Sequence, residues 1–247
     1  MIPDPRENIW EHSRNVLDLY RRRARGEEEM DASAQAAEVL APFIRSVQKP
    51  PRLLDAGCGS GYLWHSFLRR GLNIEYYGLD YSPSLISIGR EELPAFGLPP
   101  ERLICASLED LRDRPCDLAL LINTLTFCPD FRQPLDRLAQ SGAEVILIRD
   151  NFGPETIRRW ETDGYLDPGF NHLKAYWNQW SAAEVSSFLG QYGFRVEPLV
   201  DRRSRGRVEM VVDKPYRWSW LLACRGAAGG RLGGRFSAAC KNSCQAV

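Results

Sequence analysis

A chain of 247 residues can bury one full-sized α/β core with helical additions, and is too short to hold two unrelated domains comfortably. Hydrophobic residues at 44% and charged ones at 26% exclude general disorder, and 32 basic against 32 acidic side chains remove the electrostatic footprint of a protein that grips nucleic acid along its backbone. The seven cysteines are odd in number and mostly set in apolar runs, so they read as reduced core residues of a cytoplasmic protein; no Cys-x-x-Cys pair offers a metal site, and no apolar run is long enough for a signal peptide or a membrane span.

Over 6 to about 24, Ile9, Trp10, Val16, Leu17 and Tyr20 recur at helical spacing and predict one amphipathic helix, with Arg21-Arg22-Arg23 and Glu27-Glu28-Glu29 as its solvated end and turn. A second helix is expected over about 31–47, stopped by Lys49-Pro50-Pro51. The period then changes. Short apolar strands over 52–55, 74–80, 102–106, 117–123 and 144–150 alternate with helical patterns over 62–70, 83–92 and 133–140. That alternation means a mostly parallel sheet covered on both faces, with ligands bound at the carboxyl ends of its strands.

The stretch 151–180 is long, aromatic and turn-rich. A helix over 182–192 and a strand over 194–200 follow it, then a short strand or flap over 208–212 and an antiparallel last strand over 218–224, placed at or near the sheet edge. The expected architecture is a three-layer sandwich with a twisted seven-stranded sheet. Residues 1–50 form a helical extension capping the site, 51–225 the main domain with an insertion at 151–181, and the Gly/Ala-rich 226–247 a disordered tail.

The first strand ends in Asp55 and passes into Gly57-Cys58-Gly59-Ser60-Gly61 before a helix. Glycines at this spacing let the backbone turn sharply and a ligand lie close to it. Tyr62 stands where a dinucleotide fingerprint needs its third glycine, which counts against a nicotinamide-dependent oxidoreductase. Asp55 brings a carboxylate to the turn, suited to a cationic ligand better than to phosphates, and Asp80 closes the next strand where an acid can accept both hydroxyls of a ribose.

With these features the chain resembles the class I, seven-stranded, Rossmann-like S-adenosylmethionine (SAM)-dependent methyltransferases. The likeness rests on 55–61, on Asp80-Tyr81, on Ala106-Ser107-Leu108-Glu109-Asp110 and on the fourth-strand run 116–130. It implies SAM as cofactor, held by Asp55, Gly57, Cys58, Gly59, Gly61, Asp80, Tyr81, Ser107, Leu108 and Asn123, with no metal. Two departures stand out: Ser107 replaces a usual acid near the adenine, and Phe127 replaces a frequent histidine.

Acceptor-side groups are expected from the ends of the fourth and fifth strands, the insertion and the amino-terminal helices, which together hold an unusual share of the aromatics. Asp150 and Asn151 at the end of the fifth strand, and His172 in the insertion, are the candidate catalytic residues. The resulting expectation is methyl transfer to an oxygen or nitrogen of a small molecule or glycan. Protein N-methylation, suggested by the Asp150-Asn151 pair, and a degenerate fold that binds without catalysis are the alternatives.

Overall fold

The computed structural model describes residues 7–111 and 115–225. The amino terminus does not form the single helix that its periodicity predicts. Asn8 caps a 3-10 turn over Ile9–Glu11 by accepting from the Trp10 N–H at 3.1 Å, and Ser13, in extended conformation, caps α1 (Arg14–Ala24) by accepting from the Val16 N–H. Two good capping residues five positions apart divide the run, because each satisfies helix donors that an unbroken helix would bond internally. Helix α2 (Asp31–Arg45) follows, with Ala36, Ala37, Leu40, Phe43 and Ile44 buried along one face.

The alternating unit then runs β1 (Arg52–Ala56), α3 (Trp64–Arg69), β2 (Glu75–Asp80), α4 (Pro83–Glu92), β3 (Leu103–Cys105), β4 (Leu118–Ile122), α5 (Arg132–Gln140) and β5 (Val145–Gly153). Helix α4 starts on Ser82, whose hydroxyl accepts from the Leu85 N–H, with Pro83 in its first turn. The insertion holds a hairpin of β6 (Trp160–Thr162) and β7 (Lys174–Tyr176) and ends in the two-residue β8 (Trp180–Ser181). Then come α6 (Ala182–Gly190), β9 (Phe194–Val200), a second hairpin of β10 (Glu209–Val211) and β11 (Lys214–Tyr216), and β12 (Trp218–Arg225). The tail expected over 226–247 lies outside the described residues.

The main sheet runs β3-β2-β1-β4-β5-β12-β9, with β8 added beside the end of β5 as an eighth strand. Strands β1 to β5 pair in parallel, and β12 is antiparallel to both of its neighbours. Strand β12 is therefore not the edge: β9 is. Its side chains explain the position, since Trp220 and Leu222 enter the apolar cluster on one face of the sheet while Leu221 and Ala223 enter the cluster on the other. A strand apolar on both faces belongs inside a sheet, whereas β9 exposes Arg195 and Val200.

The first cluster joins alternate residues of β1, β4, β5 and β12 (Leu53, Leu120, Leu147, Leu222) to α2; the second joins the other set (Leu54, Leu121, Ile148, Leu221) to α5 and α6. The period of two along each strand thus produces the three layers. Chain order reverses at β1, between β2 and β4, and the crevice at this switch point is where an open α/β sheet binds ligands. No described helix is long and apolar enough to cross a membrane.

One polar side chain ties α2 to the far side of the sheet. Buried Gln35 donates to the Val200 carbonyl at 2.7 Å and accepts from the Trp220 indole at 3.0 Å and the Arg202 N–H at 2.9 Å. Gln35→Leu leaves these groups unpaired in the interior and is expected to cost about 3 kcal/mol. Urea unfolding followed by tryptophan fluorescence measures it, and a loss under about 1 kcal/mol would show that the clamp carries little of the packing.

Candidate active site

The carboxyl ends of β1, β2 and β4 open into one cavity of about 890 Å³. At its floor the backbone leaves β1 through Gly57 (φ 83°) and Gly59 (φ 57°), conformations that a side chain strains to adopt. A Cβ on Gly57 would lie 2.3 Å from the Thr124 hydroxyl, and one on Gly59 would lie 2.3 Å from the Tyr20 ring. The glycines are therefore required by protein neighbours, the end of β4 and helix α1, as much as by anything the cavity binds. Gly57 and Cys58 line the cavity; Gly59 and Gly61 lie behind its wall.

Asp80 locks this loop to β2. One carboxylate oxygen accepts from the Gly59 N–H at 2.8 Å and the other from the Ser82 N–H at 2.9 Å, with the side chain on the cavity wall. A carboxylate offers about four acceptor positions, so two remain for hydroxyls. Asp55 lines the same end and accepts from the Tyr76 hydroxyl at 2.5 Å.

Burial pushes the Asp55 carboxyl up to about 7, with the Tyr76 bond opposing and Asp80 adding to the rise. Burial likewise pushes Asp80 up to about 6, against the pull of the Ser82 and Gly59 N–H groups. The cavity thus holds two desolvated acids, and an ionised pair there calls for a cation.

Tyr81, Ser107, Leu108 and Asn123 line the cavity with them, so eight of the ten residues expected to hold the cofactor share one wall. Asn123 stands at φ 56° just after β4, its amide oxygen accepting from Arg149 at 2.5 Å. Arg149 is buried, pairs with Asp201 at 2.6 Å and stacks 4.3 Å over the Trp218 ring, itself part of the cavity lining.

Asp150 and Asn151 are a different matter: both are wholly buried and neither lines the cavity. Asp150 accepts from the Thr126 and Asn151 N–H groups, and Asn151 accepts from the Arg217 N–H while donating to the Asn178 carbonyl. Strand β5 continues to Gly153, past the end expected for it, and these side chains bond to the backbone of the loop after β4, of β5 itself, of the entry to β12 and of the insertion. His172, in the turn before β7, does line the cavity and is exposed at its rim.

Several residues that shape the site carried no local signal. Glu11 accepts from the Ser82 hydroxyl at 2.5 Å and from the Ser84 hydroxyl, fastening the amino-terminal turn to the start of α4. The Tyr20 carbonyl accepts from Ser60 at 3.1 Å, which brings α1 onto the glycine loop. Arg23 stacks on the Tyr20 and Tyr62 rings at 5.8 and 5.4 Å, and its Nε is buried without a partner. The Glu11 and Tyr20 hydrogen bonds join segments 40 or more residues apart, which no short motif records.

Residues 54–142 match a family described as a methyltransferase domain. A malonyl-[acyl-carrier protein] O-methyltransferase of Halorhodospira halophila (strain DSM 244 / SL1) is 30% identical over 142 residues, 51% of this chain and 48% of that protein. The chain thus spans about half the length of this curated relative. Among solved structures, the magnesium protoporphyrin IX methyltransferase from Synechocystis PCC 6803 with bound S-adenosylhomocysteine (SAH) superposes with a TM-score of 0.57 at 18% identity, covering 90% of this chain and 100% of that one. A SAM-dependent methyltransferase from Clostridium acetobutylicum ATCC 824 does so with a TM-score of 0.56 at 16% identity, covering 86% and 98%.

The matched segment contains the Asp55 to Gly61 loop, Asp80 and β4, and the sheet is mostly parallel with an antiparallel last strand, as expected. Residues 54–142 thus resemble a methyltransferase domain, and the chain has the fold of SAM-dependent methyltransferases, whose cofactor is SAM. The residues present fit that cofactor: the free acceptor positions of Asp80 suit a ribose diol, and the two buried acids suit a ligand carrying ammonium and sulfonium charge.

The raised carboxyls also set the pH response of the ligand-free protein. A carboxyl whose folded pKa lies above its unfolded value of about 4 binds its proton more tightly when folded, so its contribution is complete below pH 4 and is lost as pH rises through about 6 to 7. The melting temperature without ligand is expected to fall between pH 5 and pH 8. Asp55→Asn should remove much of that fall, on the order of 3 kcal/mol, as read by thermal unfolding across that range. A flat profile in the unsubstituted protein would contradict the burial of these acids.

Proposed function

We propose that this protein is an enzyme that transfers the methyl group of SAM to an oxygen or nitrogen of a small, largely apolar acceptor. The observation that carries the proposal is the pairing, in one cavity, of a buried carboxylate end with an aromatic end lined by Trp10, Phe127, Tyr176, Tyr216 and Trp218. In this reading Asp80 takes the ribose hydroxyls, Tyr81, Ser107 and Leu108 border the adenine, and Asp55, Gly57, Cys58 and Asn123 surround the methionine part. The amino-terminal turn and α1 act as the cap over the cofactor, fastened by Glu11 and Tyr20.

SAM brings its own activation, a methyl group on a sulfonium leaving group. The protein's task is to align the acceptor, keep water away and accept a proton where the acceptor must lose one. The aromatic walls exclude water. His172, the one histidine on the lining, is the group positioned to receive a proton from an acceptor hydroxyl. Asp150 and Asn151 act at one remove, holding the loop after β4 and the entry to β12, and touch neither ligand.

Malonyl-[acyl-carrier protein] is the acceptor in the name of the Halorhodospira halophila relative. It presents a carboxylate, and the basic side chains among the lining residues, Lys174 and His172, are exposed at the rim. This placement favours an uncharged acceptor over that substrate. A nicotinamide-dependent oxidoreductase is disfavoured by Tyr62, which occupies the third glycine position and lines the cavity.

Calorimetric titration with SAM, SAH and NAD tests the proposal. SAM and SAH are expected to bind and NAD not to; Asp80→Asn should weaken SAM at least tenfold, and SAM affinity should rise as pH increases through 6 to 7, where Asp80 and Asp55 ionise. Binding of neither SAM nor SAH would overturn the reading. Incubation with methyl-labelled SAM and a cell extract then shows the acceptor class, and label found on protein would replace the small-molecule reading.

A further inference from the structure

Beside the cavity mouth, two hairpins form a surface of their own, β6/β7 with its connecting loop and β10/β11. They are tied together: the Tyr165 hydroxyl donates to the Asp213 carboxylate at 3.2 Å, and Lys214 pairs with Glu161 at 3.6 Å. Seven large apolar side chains are exposed among the described residues, and four of them, Trp160, Tyr165, Val208 and Met210, stand on these hairpins or at the entry to β10. The pairing register explains how Met210 comes to be bare. Val211 and Tyr216 turn inward and line the cavity, so Met210 and its cross-strand partner Pro215 point to the opposite face, into solvent. Trp160 stays more than half exposed while it lines the cavity and meets the Tyr176 ring at 4.5 Å.

A run of positive charge leads into this surface. Arg202, Arg203, Arg205 and Arg207 fall within six residues with no acid among them, and all four are exposed. The loop turns them outward by fastening its other side chains inside: buried Asp201 accepts from the Ser204 N–H at 2.8 Å, and the Ser204 hydroxyl donates to the Trp218 carbonyl at 3.2 Å. Arg202 and Arg203 pair with Glu38 and Glu209, whereas no ion pair engages Arg205 or Arg207 among the described residues. Residues 202–214 hold five basic and two acidic side chains, a local excess in a chain whose charges balance overall.

We propose that this flank docks on an anionic lipid bilayer, with Arg205 and Arg207 at the headgroup phosphates and Trp160, Tyr165, Val208 and Met210 in the layer between headgroups and acyl chains. An anionic interface rewards this combination: the surface potential draws the arginines, and the layer between water and hydrocarbon takes up amphipathic rings and aliphatic side chains. A soluble polyanion would engage the arginines and leave Val208 and Met210 in water. The docking is peripheral, since no described helix is long and apolar enough to cross a bilayer. It does not depend on methyl transfer. Joined to that reading, it sets the mouth of the aromatic chamber against the phase in which an apolar acceptor concentrates.

Sedimentation of the full chain with lipid vesicles tests this. Phosphatidylcholine vesicles containing about one-third phosphatidylglycerol should bind the protein at least roughly tenfold more tightly than pure phosphatidylcholine, an advantage that shrinks as salt is raised. Arg205→Glu combined with Arg207→Glu should weaken binding at least roughly tenfold, since each basic residue near such a surface contributes about fivefold. Met210→Gln, which leaves the charge unchanged, should weaken it about threefold. These positions are exposed, so both variants should melt with the parent protein. Bromine-labelled acyl chains should quench tryptophan emission, and Trp160→Phe should remove most of that quenching. Equal binding to the two vesicle types, unaltered binding in the double variant or in Met210→Gln, or quenching that survives Trp160→Phe would each overturn the inference. Binding of heparin without binding of anionic vesicles would assign the arginines to a soluble polyanion and overturn it too. SAM failing to bind while the vesicle pattern holds would overturn methyl transfer alone, and SAM binding with the pattern absent would overturn the docking alone.

Discussion

Two acids, Asp55 and Asp80, are held away from water at the ends of adjacent strands, and the working end of the molecule is arranged around keeping them there. Asp80 draws the glycine loop across by its bond to the Gly59 N–H, and Tyr76 covers Asp55 with a hydroxyl. Helix α1 then closes over the loop, with the Tyr20 ring seated where a side chain on Gly59 would stand. Desolvation raises both carboxyls, so the ligand-free site stores an unfavourable charge arrangement that a cationic ligand relieves. Stability at the site is given up in exchange for affinity, a common relation where binding needs poised charges.

A second buried arrangement connects the two ends of the cavity. Arg149 reaches from β5 to the Asn123 amide on the cofactor side, to Asp201 after β9, and over the Trp218 ring on the aromatic side. A buried ion pair contributes little net stability against an apolar replacement, yet breaking one partner is costly. Its consequence here is geometric. It holds Asn123 in a left-handed conformation and fixes the Trp218 wall relative to it, so two parts of the cavity lining are positioned by one side chain. The aromatic chamber has a small apolar core of its own, apart from the two clusters that flank the sheet.

The legible part of the site is the part made by consecutive residues. The glycine turn after β1 and the end of β2 at Asp80 fall where expected because a strand's period and a turn's glycine requirement are local properties, although the glycines yield space to Thr124 and Tyr20 more than the motif suggests. The helix expected over 6–24 divides because capping by Asn8 and Ser13 outweighs a continuous apolar period. Asp150 and Asn151 sit one after the other at the expected strand end, and their burial follows from β5 running on beside β8 and β12, pairings that alternation within one strand does not show.

By itself, then, the sequence determined the layered α/β architecture, the glycine turn after β1 and the acid that ends β2, since each depends on spacing within a few residues. Tertiary structure alone decided that β12 is interior, that Asp150 is turned away from the cavity, and that residues as distant as Asn8, Phe127, Tyr176 and Trp218 form one chamber. Those outcomes depend on which surfaces meet when inserted segments pack together, and the free energy of that meeting is shared among residues from both ends of the chain.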